Sequence, residues 1–182
     1  MSKRIPHIVA LVSLTLLVWG ASLWNGFVWD DRILIQKNEA TLSRLSLATV
    51  FFSDFWSTET EAGSSNYYRP LVTLSYMLDY ALYGLNPMGY HLTNLVLHTA
   101  CVLTLWYLLG LLGVSTGVAT FTASLWAIHP ALAESVAWIS GRTDVVATVF
   151  VLLSIVMALR GYANKQIDSR SLTVSALCVG AG

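Results

Sequence analysis

The chain has 182 residues, of which 55% are hydrophobic and only 11% charged, and its net charge is zero. A water-soluble domain carries roughly 25% charged residues to hydrate its surface, so this composition points to a membrane protein instead, and the apolar runs below are expected to make it all-α and polytopic. The absence of any basic tract argues against nucleic acid as a partner.

The first apolar run, Ile5 to Trp24, follows Lys3 and Arg4. It exceeds the length of a signal-peptide core, and Trp19, Trp24 and Trp29 read as an interfacial aromatic belt, so it is expected to be a retained first span. Residues 25 to 89 form a long extracytoplasmic loop that holds most of the acids. Within it, Leu42 to Trp56 suits a short amphipathic helix, and Thr58 to Asn66 is a loop by composition. Pro70 opens a further helix, in which Leu71, Leu74, Leu78, Leu82 and Leu85 recur at helical spacing. Thr73, Ser75 and Asp79 interrupt that stripe, which fits a helix lying on the membrane surface better than one crossing it.

From Leu92 to Ala133 there is no Asp, Glu, Lys or Arg. At about 1.5 Å per residue and a ~30 Å core, that stretch suffices for two spans, expected at about 90–111 and 116–133, with the glycine-rich turn at 110–117 between them. A second loop, about 134–144, precedes a span over about 145–160. A fifth apolar run from Leu172 stops at Gly182, as expected for the N-terminal part of a longer protein. Cys101 and Cys178 both lie in apolar runs and read as packing thiols.

Four crossings place Lys3, Arg4, Arg160, Lys165 and Arg170 on one side, accompanied by a single acid, Asp168. The basic residues divide equally between the two sides. Short flanking segments weigh more than long translocated loops, so the N-terminus is expected on the cytoplasmic side. Both acid-bearing loops then share the extracytoplasmic face.

Three groups of residues on that face suggest chemistry. Asp30-Asp31, at a membrane edge, reads either as a general base and cation ligand or as a solvated loop start. His129, Glu134, Arg142 and Asp144 are packed between two apolar runs, where ionisable groups are costly and point to a site. Arg142 and His129 there suit a lipid phosphate, with Gly141 allowing a close backbone approach. The plainer alternative is an ion pair of Arg142 with Asp144 or Glu134. Tyr67-Tyr68-Arg69-Pro70 suits a phosphate or a sugar, and equally an interfacial anchor. His91, Asn94 and His98 share one helical face, which either lines a cavity or hydrogen-bonds neighbouring helices.

Taken in order, Phe27-Val-Trp-Asp-Asp-Arg32, Tyr68-Arg-Pro-Leu-Val-Thr-Leu-Ser75, Gly84 to His98 and the His129 to Asp144 block resemble the transmembrane and tetratricopeptide-repeat protein O-mannosyltransferases and their bacterial relatives. The resemblance extends from about residue 20 to 160. It implies a GT-C-like helical bundle whose extracytoplasmic loop bears amphipathic surface helices, in a bacterial inner membrane or the endoplasmic reticulum. It also implies a polyprenyl- or dolichyl-phosphate sugar donor, mannose by analogy, and a protein Ser/Thr acceptor. Asp30 and Asp31 match the family's acidic pair and one would be the base. Arg142 and His129, with Arg69 behind them, would meet the donor phosphate, and Glu134 and Asp144 would orient these groups or touch the sugar. No cofactor is implied and metal dependence is left undecided. The family's further spans and repeat array lie beyond these residues, so this stretch alone is not expected to catalyse. A transporter with an ionisable relay and a non-catalytic membrane scaffold are the competing classes.

Overall fold

A computed structural model describes residues 4–44, 46–52, 55–56 and 67–163. Among them the regular structure is helical. Helix α1 (Ile5–Trp19) continues through a 3-10 turn (Gly20–Trp24), and a π-helical turn (Arg32–Gln36) precedes α2 (Glu39–Leu42) and α3 (Leu47–Phe52). Then come α4 (Pro70–Tyr83), α5 (Pro87–Leu111), α6 (Thr116–Ala127), a 3-10 turn (Pro130–Leu132), α7 (Ala133–Ala137) and α8 (Arg142–Ala163).

The punctuation follows from backbone chemistry. Pro6, Pro70, Pro87 and Pro130 each sit in the first turn of a helix, where a missing N–H costs nothing. Asn86 caps α5 by accepting a hydrogen bond from the Met88 N–H at 3.1 Å. Gly84 and Gly113, at φ 58° and 80°, turn the chain out of α4 and α5 in a conformation that disfavours a side chain.

Helix α5 is the axle, packed against α8, α6, α1 and α4. One core, built on Leu34, Ile35, Tyr76, Met77, Tyr90 and Ile139, holds the first loop against α4 and α5. A second, at the other end of the bundle, joins Leu11, Val102, Trp106 and three alanines of α6. Ile5–Trp24, α5 and most of α8 (Arg142–Tyr162) are long and apolar enough to cross a membrane. The outward faces of α1, α6 and α8 present Val9, Leu17, Phe121, Leu125 and Ile155, an exposure suited to hydrocarbon rather than water. The chain is an all-α, polytopic membrane protein.

Several expected elements differ in detail. The stretch Leu42–Trp56 contains two short helices' ends rather than one helix, α2 closing at Leu42 and α3 spanning Leu47–Phe52. The span expected over 116–133 is a 12-residue α6, about 18 Å long against a ~30 Å core. It breaks at Ile128, because His129 must be extended before Pro130, and the chain continues alongside α5 through the 3-10 turn and α7. Helix α8 begins three residues early, at Arg142. Trp19 is a core residue rather than a belt residue: its indole N–H donates to the Ala127 carbonyl at 2.7 Å, while Trp24 and Trp29 are exposed. The expected loop Thr58–Asn66, the fifth apolar run and Cys178 lie outside the described residues.

Candidate active-site cleft

The 3-10 turn after α1 gives way to an extended segment and then a tight turn over Val28–Asp31, with the Asp31 N–H donating to the Val28 carbonyl at 2.9 Å. Trp29 takes φ 45° in this turn, a strained value for an aromatic residue of the kind retained where the surroundings demand it. The two aspartates leave the turn in different directions. Asp31 is fully buried. One of its oxygens accepts the Val28 N–H at 3.1 Å, and the other accepts both the Ser140 N–H at 2.9 Å and the Ser140 hydroxyl at 2.5 Å. Asp31 therefore ties the first acid-bearing loop to the second. Asp30 is half-buried and lines a cleft of about 160 Å³.

That cleft gathers residues from far apart in the chain. Asp30, Arg69, Glu134 and Asp144 line it together with Trp56 and Trp138. Arg69, at the N-terminal edge of α4, lies over the Phe55 ring at 5.2 Å and the Tyr67 ring at 5.3 Å, and donates to the Thr143 hydroxyl at 3.3 Å. Glu134 is exposed in the first turn of α7. Asp144, exposed in the first turn of α8, accepts from the Ser135 hydroxyl at 3.0 Å. Gly141 makes this corner possible: a β-carbon there would collide with the Glu134 carbonyl and the Ser135 backbone. The close approach expected at Gly141 is thus made by α7 of the same chain.

Arg142 lies beneath the cleft rather than in it, with no exposed surface. Its Nε donates to Asn94 Oδ1 at 2.6 Å, Nη1 to the Ser75 hydroxyl at 3.0 Å and Nη2 to the Tyr90 carbonyl at 2.8 Å. Nη2 also pairs with Asp79 at 2.6 Å, and the guanidinium stacks over Tyr76 at 4.9 Å. The ion pair of the plainer reading thus forms, but with Asp79 rather than with Asp144 or Glu134. Burial pushes the Asp79 carboxyl above its ordinary range, with Arg142 and the Thr93 hydroxyl opposing it. Burial also pushes the Tyr76 phenol up to about 12, so it stays protonated. His129 is exposed and does not line the cleft. Its Nδ1 accepts the Ala131 N–H at 3.2 Å, which leaves the proton of the neutral ring on Nε2. Among the described residues, no group of three or more His, Cys, Asp or Glu is placed to hold a metal ion.

His91, Asn94 and His98 are all buried. Asn94 donates to the Trp138 carbonyl at 2.9 Å, and His98 Nε2 lies 3.1 Å from the Ala127 carbonyl, so two of the three bond neighbouring segments. Ser140, Trp56, Trp138 and Asp79 were not singled out as site residues from the sequence. A signal for Asp79 existed: with Ser75 it forms an i, i+4 polar pair between the leucines of α4, and that pair is where the arginine lands.

No family model matches the chain, and no solved structure does. Curated proteins do. The human protein O-mannosyl-transferase TMTC2 is 39% identical over 159 residues, covering 85% of this chain and 19% of that protein. Drosophila melanogaster protein O-mannosyl-transferase Tmtc1 is 36% identical over 176 residues, 94% of this chain and 20% of the relative. Human TMTC3 is 36% identical over 151 residues, 82% and 16% respectively. The chain therefore spans about a fifth of the length of these relatives. Over most of its own length it is homologous to the TMTC protein O-mannosyl-transferases, the family its four sequence blocks resemble.

Proposed function

We propose that this chain forms the catalytic corner of a GT-C-type membrane glycosyltransferase that moves mannose from a polyprenyl- or dolichyl-phosphate donor to a Ser or Thr hydroxyl of a protein, on the extracytoplasmic face. The observation that carries the reading is the cleft itself. Two segments separated in sequence by α5 and α6 bring Asp30, Arg69, Glu134 and Asp144 into one cleft that two indoles also line. Aromatic faces suit the apolar face of a sugar ring, and carboxylates accept from its hydroxyls.

In this reaction the acceptor oxygen forms a bond to the anomeric carbon as the bond from that carbon to the phosphate oxygen breaks. Asp30 takes the hydroxyl proton, and the lipid phosphate leaves with the electron pair on the opposite side of the ring. Arg69 is the cation at the cleft and meets that phosphate. Glu134 and Asp144 hold sugar hydroxyls. Asp31 positions the base by fixing its turn, and Arg142 positions Arg69 by fixing α4 against α8. His129, outside the cleft, is left to a lipid headgroup or acceptor contact at the rim.

The test is transfer from a polyprenyl-phosphate mannose donor by the full-length protein. Loss of a general base costs about 10²- to 10⁴-fold, so Asp30→Asn should fall in that range with expression unchanged. Arg69→Ala should lose about a hundredfold, chiefly in kcat. An Asp30→Asn enzyme within tenfold of wild type would remove Asp30 as the base.

A further inference from the structure

At the end of the bundle away from the cleft, α5, α6 and the start of α1 border an open cavity of about 280 Å³. Arg4, Trp106, Tyr107, Gly110 and Ala119 are among its lining residues. The wall is braced: the Trp106 indole N–H donates to the Thr120 hydroxyl at 3.0 Å, His7 Nδ1 lies 3.1 Å from that hydroxyl, and the His7 ring stacks on Trp106. The space exists because small residues border it. A β-carbon on Gly110 would meet nothing within 4 Å.

The charge around the cavity has one sign. Arg4 lines it, and Arg160, which is not one of the lining residues, holds its guanidinium 5.9 Å from the centre of the Tyr107 ring that forms part of the wall. The described carboxylates belong to the other end of the bundle. Asp30, Glu134 and Asp144 are in the cleft, Asp31 and Asp79 lie beneath it, and Glu39 accepts from Tyr80 of α4. An exposed arginine lining an aromatic and glycine-bordered hollow, with a second against its tyrosine wall and no described acid beside them, makes an amphipathic receptor at the rim of the apolar spans. A phosphate fits the mouth and a hydrocarbon chain fits the hollow. Basic pockets between spans recognise anionic lipid headgroups by this combination. Charges that only set topology would need no hollow behind them.

We infer that this cavity is a binding site for one anionic glycerophospholipid of the leaflet on the N-terminal face, its phosphate on Arg4 and an acyl chain over Trp106 and Gly110. The site is separate from the cleft and does not depend on the transfer reaction.

The experiment is native mass spectrometry of the full-length protein released from nanodiscs of phosphatidylglycerol and phosphatidylcholine in equal parts. One phosphatidylglycerol should be retained in preference to phosphatidylcholine. Arg4→Gln, an exposed change that leaves the packing alone, should weaken that retention about fivefold. Gly110→Leu should fill the hollow and abolish retention while the melting temperature stays at or above that of the wild type. Equal retention of the two lipids, or a preference untouched by both substitutions, would overturn the site.

Discussion

Asp30 and Asp31 share a backbone turn but differ in environment, and the roles proposed for them follow that difference. Asp31 receives three hydrogen bonds, two of them from Ser140, and a carboxylate so saturated has no oxygen to offer a substrate. Asp30 faces the cleft. Replacing Asp31 by Asn exchanges one acceptor oxygen for an N–H₂ that must face a donor, either the Val28 N–H or the Ser140 pair. A buried donor left unsatisfied costs about 1–3 kcal/mol. Asp31→Asn should therefore lower the melting temperature of the purified protein. Asp30→Asn, at a half-exposed position with no comparable bonds, should leave it within a degree or two. Equal melting temperatures for the two variants would mean that the Asp31 clasp contributes nothing to the fold. The aspartate pair was readable in the sequence, but which member is buried was not, because that depends on a serine more than a hundred residues away.

At the scale of elements, the consequential contact is between α4 and α8. Arg142 crosses from the first turn of α8 to Asp79, Ser75 and Tyr76 on α4, and to Asn94 and the Tyr90 carbonyl on α5. It is the only fully buried arginine among the described residues, and its pairing holds the helix that starts beside Arg69 against the helix that carries Thr143 and Asp144. Breaking a buried pair leaves one uncompensated charge, at about 3–5 kcal/mol, whereas replacing both partners by apolar groups is close to neutral. Arg142→Met and Asp79→Leu should each unfold or strongly destabilise the protein, and the double variant should recover most of that loss, as read by thermal denaturation in detergent. Destabilisation that simply adds would mean that the two residues act apart. Helix starts were readable from the prolines and turns from the glycines, because these act through the local backbone. The partner of Arg142 was not, because long-range pairing leaves no local signature. The same holds for Trp19, whose aromatic type suits an interface and whose indole instead bonds the end of α6.

For the whole molecule, run lengths of apolar residues were enough to read the membrane class, since hydrocarbon thickness sets how long a span must be. They could not show that the third passage is broken. A charge-free stretch looks the same whether its helix is continuous or stops at residue 127, and only His129-Pro130 hints at the interruption. The broken passage still follows α5 from end to end. The Ala127 carbonyl meets His98, the Trp138 carbonyl meets Asn94, and Arg142 meets Tyr90, so the chain reaches the end of α5 that begins near Asn86. With the bundle across the bilayer in this way, Asn86 and Asp144, two residues after Arg142, are at one surface and Leu112, in the exposed connection after α5, is at the other. Single cysteines at these three positions, in a full-length protein lacking Cys101 and Cys178, should label with a membrane-impermeant maleimide in two classes. Those at 86 and 144 should react together from the outside of intact cells or the lumen of sealed vesicles, and that at 112 only after permeabilisation. The cleft needs the first pair on a shared side, because Asp30 and Asp144 cannot otherwise border one hollow. Labelling of 86 and 144 from opposite sides would dismantle both the cleft and the transfer chemistry proposed for it.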